Sequence, residues 1–499
     1  MTRKIVKSLA RLKLEIVAFT VGLVILAFEL AAARIVAPYL GTTIYTWTSI
    51  IGVILAALAI GYAVGGIVAD KRQRAEDIAV LLIVSALLIG LVNLSKDSLL
   101  DYIGGSNLPL QIQALIASLL LFALPTLLLG AASPYLARMS ITDLSTSGRS
   151  IARISAAGTA GCLVGTFLTG YLLFGLIGTS SLLTFLALLL LTTSLIFAYK
   201  NQVFLVLTAL VVMMVLGANA SKPKFVGLVE DVDSSYGRIL VRDIDYENKQ
   251  VRILQTDNQG VQSGVFLDGS PKLAFAYTRA FDYTSGLKPD AKNFLIIGGG
   301  AFTFPQYLSN KYPNASVDTV EIDNKLSQIS KQYFNHKPPA NLATYYADGR
   351  QYLNNSTRDY DMIYLDAYSA PVPPFQLLTR QAVARMDDSL NSQGIVVANI
   401  VSASEGNKSL LIQAAVSTFS TEFNHVAVYR VKPELNPLDR QNLLLLASKE
   451  EIDTDSLQKL SAVHPEFKGM LSNQVNFSAN SRNILTDNYA PVELLALWN

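Results

Sequence analysis

Residues 293–301 read NFLIIGGGA, an apolar run that ends in three consecutive glycines. The run from Asn293 to Ile297 has the length and the branched residues of a buried β-strand. The missing side chains of Gly298, Gly299 and Gly300 let a ligand approach the backbone directly after it. The stretch therefore predicts a strand whose carboxyl end borders a binding site.

Strand and helix patterns alternate beyond this stretch. Strands are predicted over 317–322, 361–365 and 394–400, and helices near 302–312 and 324–334. Such alternation is typical of a doubly wound parallel sheet, so we expect an α/β, Rossmann-like domain over 286–499. Apolar and polar residues alternate over 222–285 as they do in β-strands. This pattern predicts a small β-domain over 221–285, before the α/β domain.

Polar residues at the ends of these strands form an ordered set. Ligands of doubly wound sheets bind beyond the carboxyl ends of the strands. Glu321 closes the second strand, where a carboxylate can accept both ribose hydroxyls, and Asp366 closes a later one. Asp348 and Gly349 follow the apolar stretch between them. One such residue alone is more often structural, but the combination favours a nucleoside or dinucleotide site. The dinucleotide-binding motif GxGxxG is incomplete, because Thr303 stands in place of its third glycine.

The composition predicts a membrane portion. Hydrophobic residues make up 51% of the 499 residues and charged residues only 16%, which is too apolar for an ordinary soluble protein. Residues 1–220 hold 14 Lys+Arg and 8 Asp+Glu, against 26 and 30 in residues 221–499. We therefore expect an integral membrane domain over 1–220, with about seven helices that contact the bilayer. The candidate spans lie near 14–38, 47–69, 77–97, 110–135, 151–176, 179–198 and 202–219.

Basic residues predict the orientation of these spans. Lys and Arg occur near the N-terminus, at 71–74 and at 138–153, which are alternate connections between the spans. This pattern is expected for a protein of the cell membrane whose N-terminus is cytoplasmic. Seven spans would leave the soluble half outside the cell, whereas nucleotide chemistry favours the cytoplasm. The shortest candidate, 202–219, is the first suspect for a miscount. Arg34, near the end of the first span, is either a functional residue or one that reaches the membrane surface.

Several classes of function are excluded by the composition. The only cysteine is Cys162, and the three histidines are far apart without metal-ligand spacing, so no metal is expected. The soluble half is mildly acidic, which argues against nucleic acid as a partner.

Further motifs carry a resemblance to a known family. The segments NFLIIGGGA, VEID (320–323), ADGR (347–350) and LDAYS (365–369) resemble those of the spermidine synthase family of polyamine aminopropyltransferases. YTRA (277–280), LLT (377–379) and LTDNYAPVE (485–493) are similar to the membrane-fused branch of that family, as are YTW (45–47) and GY (61–62) in the first half. The resemblance covers nearly the whole chain and implies a domain of the S-adenosylmethionine-methyltransferase type.

The resemblance implies a role for each matching position. Gly298, Gly299, Gly300 and Glu321 would hold the nucleoside of decarboxylated S-adenosylmethionine or S-adenosylmethionine itself, and Asp348 with Gly349 would contact its adenine. Asp366 would be the catalytic carboxylate that accepts a proton from the attacking amine. The residues that would line the pocket of a polyamine or other amine acceptor, such as putrescine, are Tyr236, Gln262, Tyr277 and Tyr368. Association of the family's soluble members predicts a homodimer.

Three departures from the family pattern leave alternatives open. Ala301 stands where the family has an Asp that contacts the aminopropyl amine, Gly237 follows Tyr236 in place of Gln, and residues 369–371 lack the second acid of the gate loop. The first alternative is an S-adenosylmethionine-dependent methyltransferase that acts on a membrane-associated substrate. The second is a non-catalytic transporter or scaffold with a nucleoside-binding domain.

Overall fold

Two compact units make up the chain. The computed structural model describes residues 2–198, 208–209, 211–212, 226–257, 260–368, 373–451, 474–477, 479–480 and 483–497. The first unit comprises Met1–Phe225 and Val232–Arg238, and the second comprises Val226–Asp231 and Ile239–Asn499. The domain boundaries that the sequence predicts at residues 220 and 285 stay a prediction.

Helices form the first unit. They are α1 (Thr2–Leu40), α2 (Ile44–Lys71), α3 (Ala75–Gly104), α4 (Leu110–Ser118), α5 (Leu124–Ser140), α6 (Ser147–Leu168) and α7 (Phe174–Ala198). One π-helical turn joins α4 to α5 and another joins α6 to α7. The described residues contain six segments long and apolar enough to cross a membrane, which confirms the expectation of several apolar helices. The seventh candidate, 202–219, lies outside the described residues apart from 208–209 and 211–212.

Small residues allow the helices of this unit to pack closely. A Cβ atom at Gly161 would lie 1.9 Å from the backbone oxygen of Phe19, and one at Gly65 would lie 2.4 Å from that of Ala131. Backbones this close leave no room for a side chain, so α1 packs on α6, and α2 on α5. Gly61 and Gly65 of α2, and Gly161 and Gly165 of α6, have the GxxxG spacing that allows such packing.

One end of the bundle carries the basic loops. Arg138 pairs with Asp70 at 2.9 Å, and Arg153 lies 3.7 Å from Glu15. Arg72 lies 3.6 Å from Asp77. The first pair joins the carboxyl ends of α2 and α5, the second joins the amino-terminal parts of α1 and α6, and the third joins the end of α2 to the start of α3.

Residues 232–238 contact the other end of the same bundle. Arg34, whose guanidinium lies 4.1 Å from the centre of the Phe174 ring, donates to the backbone oxygen of Ser234 at 2.6 Å. Arg238 pairs with Asp97 at 3.2 Å, and the backbone N–H of Thr179 donates to Asp233 at 2.7 Å. Arg34 thus binds backbone carbonyls of its own unit.

A four-stranded sheet begins the second half of the chain, as the alternating pattern predicts. Its strands follow in order: β1 (Leu228–Asp233), β2 (Arg238–Tyr246), β3 (Lys249–Asp257) and β4 (Gly260–Phe266). The strand interpretation is wrong for its last part, because Ala276–Ser285 forms helix α8. Tyr277, Ala280, Phe281 and Thr284 recur at helical spacing, and this buried face packs on the large sheet.

The large sheet confirms the doubly wound α/β fold. It contains β5 (Asn293–Ile297), β6 (Ser316–Glu321), β7 (Leu342–Tyr346), β8 (Tyr360–Leu365), β9 (Leu390–Ser402), β10 (His425–Arg430), β11 (Gln441–Ser448) and β12 (Gln474–Val475). The order is β12-β10-β11-β9-β8-β5-β6-β7, with β5 to β9 parallel. Helices α9 (Thr303–Lys311), α10 (Asn324–Tyr333), α11 (Gly349–Asn355), α12 (Arg380–Asp388), α13 (Leu410–Phe419) and α14 (Val492–Leu497) accompany it.

The strand order reverses between β5 and β8. The chain runs outward from β5 through β6 to β7 and then returns to the other side of β5 with β8. Leu295 and Ile297 are buried in one apolar cluster and Phe294 and Ile296 in another, as expected for a central strand covered on both faces. Such a reversal opens a crevice at the carboxyl ends of the two strands, where ligands of this fold bind.

We predict that Gly65→Ala lowers the Tm of the detergent-solubilised protein by several degrees. Its new methyl group would lie 2.4 Å from the carbonyl oxygen of Ala131, and overpacking of this kind costs about 1–3 kcal/mol. The matched control is Gly66→Ala, where nothing lies within 4 Å of the added atom. Equal Tm values for the two variants would contradict close backbone packing at Gly65.

Candidate active site

The glycine loop brings the backbone after β5 against the backbone after β8. Gly298 has a φ of 107°, in the left-handed region, and a Cβ there would lie 2.3 Å from the carbonyl oxygen of Asp366. The N–H of Asp366 donates to the carbonyl of Ile297 at 2.8 Å. Only glycine fits both the conformation and the close approach at 298.

Glu321 lies directly behind this loop. Its Oε2 accepts from the N–H groups of Gly299 at 2.8 Å and Gly300 at 3.1 Å, and its Oε1 accepts from that of Asp323 at 3.0 Å. Burial raises the pKa of Glu321, and these three donors act in the opposite direction. A carboxylate has about four acceptor positions, so about one stays available to a ligand hydroxyl.

Asp348 and Gly349 begin α11 at the same edge of the sheet. Asp348 caps the helix by accepting from the N–H of Gln351 at 3.0 Å. Gly349 is buried, and a Cβ atom there would lie 2.5 Å from the side chain of Ile297. Both residues have a structural role in shaping this edge, beside the adenine contact that the resemblance implies.

Asp366 follows β8 at the point where the strand order reverses. Asn399 of β9 donates from Nδ2 to Asp366 Oδ1 at 3.0 Å. The residue keeps part of its surface exposed, but protein surrounds its carboxyl group. This burial raises the pKa of Asp366 from 3.8 to about 7, while the donors Asn399 and Tyr277 hold it lower than burial alone would.

Three predicted acceptor residues meet beside this carboxyl group. The Tyr277 hydroxyl donates to the backbone oxygen of Gln262 at 2.5 Å, and the Gln262 amide donates to that of Tyr368 at 3.4 Å. The Tyr368 hydroxyl donates to the backbone oxygen of Asn399 at 2.6 Å. Burial, followed by the charge of Asp366, raises the pKa of Tyr277, and burial raises that of Tyr368, so both phenols are neutral donors near pH 7.

The remaining predicted residues are not brought into this group. Tyr236 belongs to the first unit, where its side chain is exposed, so its role stays a prediction. Residues 369–371 of the gate loop lie outside the described residues. Within the described part of the chain, no group of three or more His, Cys, Asp or Glu side chains could hold a metal.

Sequence reasoning missed two residues of the site, Ser263 and Asn399. The N–H of the buried Ala301 donates to the Ser263 hydroxyl at 3.1 Å, so a serine of β4 closes the glycine loop. Nothing in the sequence around Ser263 indicates this contact. Asn399 is a polar residue inside the apolar run IVVANIV (395–401), and such a residue in a buried strand needs a partner.

Comparison with known proteins agrees with this geometry. The family model described as "Spermine/spermidine synthase domain" matches residues 275–435, which include the glycine loop, Glu321 and Asp366. The C-terminal part of the chain contains a spermine/spermidine synthase domain. The synthase domain follows a region of several long apolar helices, which is consistent with a membrane-fused arrangement.

Relatives of the synthase domain include named transferases. The chain is 27% identical to the polyamine aminopropyltransferase of Vibrio vulnificus over 282 residues, which cover 54% of this chain and 91% of that protein. It is 28% identical to a probable polyamine aminopropyl transferase of Bifidobacterium longum over 227 residues, or 42% of this chain and half of that protein. The crystal structure of a probable spermidine synthase from Corynebacterium glutamicum matches 52% of this chain and 98% of its own length, with 18% identity and a TM-score of 0.41.

We predict that Asp366→Asn raises the stability of the protein above neutral pH. Because the folded-state pKa of Asp366 lies above 3.8, the wild type loses stability as the pH rises from about 4 to about 7, and an asparagine does not ionise. A shift of this size is worth at most about 4 kcal/mol, and we expect about 1–3 kcal/mol because the residue keeps part of its surface exposed. The Tm of the variant should exceed that of the wild type by several degrees at pH 8 and match it at pH 4. A difference that is the same at both pH values would contradict the raised pKa.

Proposed function

We propose that this protein is a multi-pass membrane aminopropyltransferase of the spermidine synthase type. It would transfer an aminopropyl group from decarboxylated S-adenosylmethionine to an amine such as putrescine. The observation that carries the proposal is Asp366, whose backbone contacts the glycine loop within the matched domain and whose buried carboxyl group has a pKa near neutrality.

The reaction needs a base at this position. The amine nitrogen attacks the methylene carbon beside the sulfonium, the new C–N bond forms, and the C–S bond breaks with its electron pair left on sulfur. Methylthioadenosine leaves as a neutral thioether, and the proton of the amine passes to the Asp366 carboxylate. A free amine with a pKa of about 10 is mostly protonated at pH 7, so a carboxylate that binds the ammonium and accepts its proton is useful. A base whose pKa lies near the working pH is best suited to this transfer.

The other residues divide into two groups. Glu321, with Gly298 to Gly300, would bind the ribose end of the donor through the acceptor position that the loop leaves available. Asp348 and Gly349 would border the adenine. The acceptor side would consist of Gln262, Tyr277 and Tyr368, with Tyr236 as a further contact. No metal is required, because the sulfonium is itself the activated leaving group. Lipid contact of the helices and a homodimer are part of the proposal, and nucleic acid is not.

One observation favours methyl transfer from intact S-adenosylmethionine as a second candidate. Because residue 301 is an alanine, it offers no carboxylate to an aminopropyl ammonium. It is 1% exposed, and its backbone N–H donates to Ser263. The nucleoside end of the site would be the same for both donors. The two reactions differ in their nucleoside product, which is methylthioadenosine for aminopropyl transfer and S-adenosylhomocysteine for methyl transfer.

Two substitutions should separate catalysis from nucleoside binding. We expect Asp366→Asn to lower kcat by about 10²–10⁴-fold, which is the usual contribution of a general base, with little change in the affinity for methylthioadenosine. Glu321→Gln removes a charged hydrogen-bond acceptor and should weaken that affinity about 10–100-fold. Steady-state rates and equilibrium binding measure the two effects, and the exposed Glu405→Gln is the control. Full activity of Asp366→Asn would remove Asp366 from the mechanism.

We further propose that the N-terminus is cytoplasmic and that residues 232–238 lie on the opposite side of the membrane. One end of the helices carries Lys71, Arg72, Arg74 and Arg149, whereas the loops 41–43 and 105–109 at the other end hold no Lys or Arg. Cytoplasmic loops carry the basic residues of a membrane protein.

Contacts within the first unit support this orientation. Residues 232–238 bind Arg34, Asp97 and Thr179, all of which lie toward the end that lacks the basic loops. Among the described residues beyond 238, no helix is long and apolar enough to cross a membrane. The proposed side of residues 232–238 needs an odd number of spans, for which 202–219 is the apolar segment that the sequence offers, and it argues against the cytoplasm for the soluble half. The reaction then requires donor and amine on that side.

Cysteine labelling tests this topology. In a Cys162→Ala background, which has no other cysteine, the exposed Ser235→Cys should react with a membrane-impermeant maleimide in intact cells. The matched control, Thr142→Cys, is also exposed but lies at the basic end, and it should react only after permeabilisation. Labelling of Ser235→Cys only after permeabilisation would contradict the proposed side.

A further inference from the structure

Asn399 lies between two polar side chains in the middle of the large sheet. On one side its Nδ2 donates to Asp366 at 3.0 Å, and on the other side its Oδ1 accepts from Asn442 Nδ2 at 3.0 Å. The side chain is 5% exposed. Its backbone is held as well, because the Tyr368 hydroxyl donates to the Asn399 carbonyl at 2.6 Å and accepts from the N–H of Val401 at 3.0 Å.

The strand register brings Asn442 to this position. Val401 of β9 pairs with Asn442 of β11, and Asn399 is two residues earlier on β9, so the two asparagines are diagonal neighbours on one face of the sheet. The contact therefore depends on two neighbouring strands that are buried along most of their length. Neither asparagine belongs to a motif that the sequence analysis identified.

The two hydrogen bonds have a defined direction. An ionised carboxylate can only accept, so charged Asp366 requires the NH₂ group of Asn399. The Asn399 oxygen then points to Asn442, and the Asn442 NH₂ group is the donor that satisfies it. Without this donor the Asn399 amide can turn over, and its oxygen would then face the Asp366 carboxylate. Hydrogen bonds in such a chain polarise one another in a surrounding of low dielectric constant.

Among the described residues, no charged side chain beside Asp366 stabilises its charged form. The titratable groups that face it are Tyr277 from α8 and Tyr368 from the segment after β8, and both are neutral near pH 7. The glycine loop after β5 contributes no side chain at 298, and β9 contributes the neutral Asn399. The charged form of Asp366 therefore relies on hydrogen bonds from neutral groups rather than on a cation.

We propose that Asn442 is a positioning residue for the reaction, because it orients the Asn399 amide so that its NH₂ group stabilises the charged form of Asp366. This inference rests on the proposed function, in which charged Asp366 is the base. Asn442 itself does not touch the reacting atoms. Its loss should change the pH at which the enzyme becomes active as well as its rate.

The pH dependence of kcat/KM for the full-length protein in detergent tests this inference. Asn442→Leu removes the donor and keeps a similar side-chain volume. It should shift the acid limb of the kcat/KM profile to higher pH by about one unit. The value of kcat/KM should then be about tenfold lower than that of the wild type at pH 6 and equal to it at high pH. Asn442→Asp should have a larger effect, because an aspartate accepts from the Asn399 NH₂ group and turns it away from Asp366. Asn442→Ser provides a second neutral variant if the leucine does not fold.

Asn391→Leu is the matched control. Asn391 also donates to an aspartate, Asp361, at 2.6 Å, but this pair lies at the opposite edge of the same sheet. Its loss should leave the acid limb unchanged. A lower rate at every pH with an unchanged limb in the Asn442 variants would mean that Asn442 is only structural, and this overturns the inference.

A second readout separates this inference from the proposed function. Infrared difference spectra between the wild type and Asp366→Asn report the protonated carboxyl group of Asp366 without turnover. An upward shift of that titration in Asn442→Leu supports the inference even if no aminopropyl transfer is found, and an unchanged titration overturns it. Absence of turnover in the wild type with either donor would instead refute the proposed function.

Discussion

The close approach of two backbones at Gly298 is the constraint on which the site depends. The segments that follow β5 and β8 meet where the sheet reverses its strand order, and a Cβ at 298 would lie 2.3 Å from the carbonyl oxygen of Asp366. Because glycine permits this approach, the Asp366 N–H reaches the carbonyl of Ile297. The same loop supplies the two N–H groups that bind Glu321. The carboxylates that we propose for catalysis and for nucleoside binding are thus positioned by one short loop.

Sequence reasoning predicted four of the eight described strands of the large sheet, β5, β6, β8 and β9, together with candidate residues at carboxyl ends of strands. An apolar run followed by glycine or a carboxylate is a local pattern, and β5 begins and ends where this pattern indicates. The hydrogen bonds among Asp366, Asn399 and Asn442 depend on the register between β9 and β11, which are about 40 residues apart in the chain. No local pattern contains that register. The helix Ala276–Ser285 was misread because its aromatic residues suit both a strand and a helix.

The helical half differs in what its sequence reveals. Apolar length and composition are enough to identify the helices that are long and apolar enough to cross a membrane, and the glycine spacing indicates which of their faces pack. Polar contacts at their ends could not be predicted, because Arg34, Asp97 and Thr179 bind residues 54 to 200 positions away. These contacts satisfy charges that would be costly in hydrocarbon, so Arg34 has a structural explanation within its own unit.

Identification of the nucleoside product tests the central claim most directly. The detergent-purified wild type would be incubated with a mixture of diamines and with either decarboxylated S-adenosylmethionine or S-adenosylmethionine, and the products analysed by mass spectrometry. Aminopropyl transfer predicts methylthioadenosine from the decarboxylated donor, formed only when an amine is present. Release of S-adenosylhomocysteine from the intact donor, with no methylthioadenosine from the other, would contradict it and assign the site to methyl transfer.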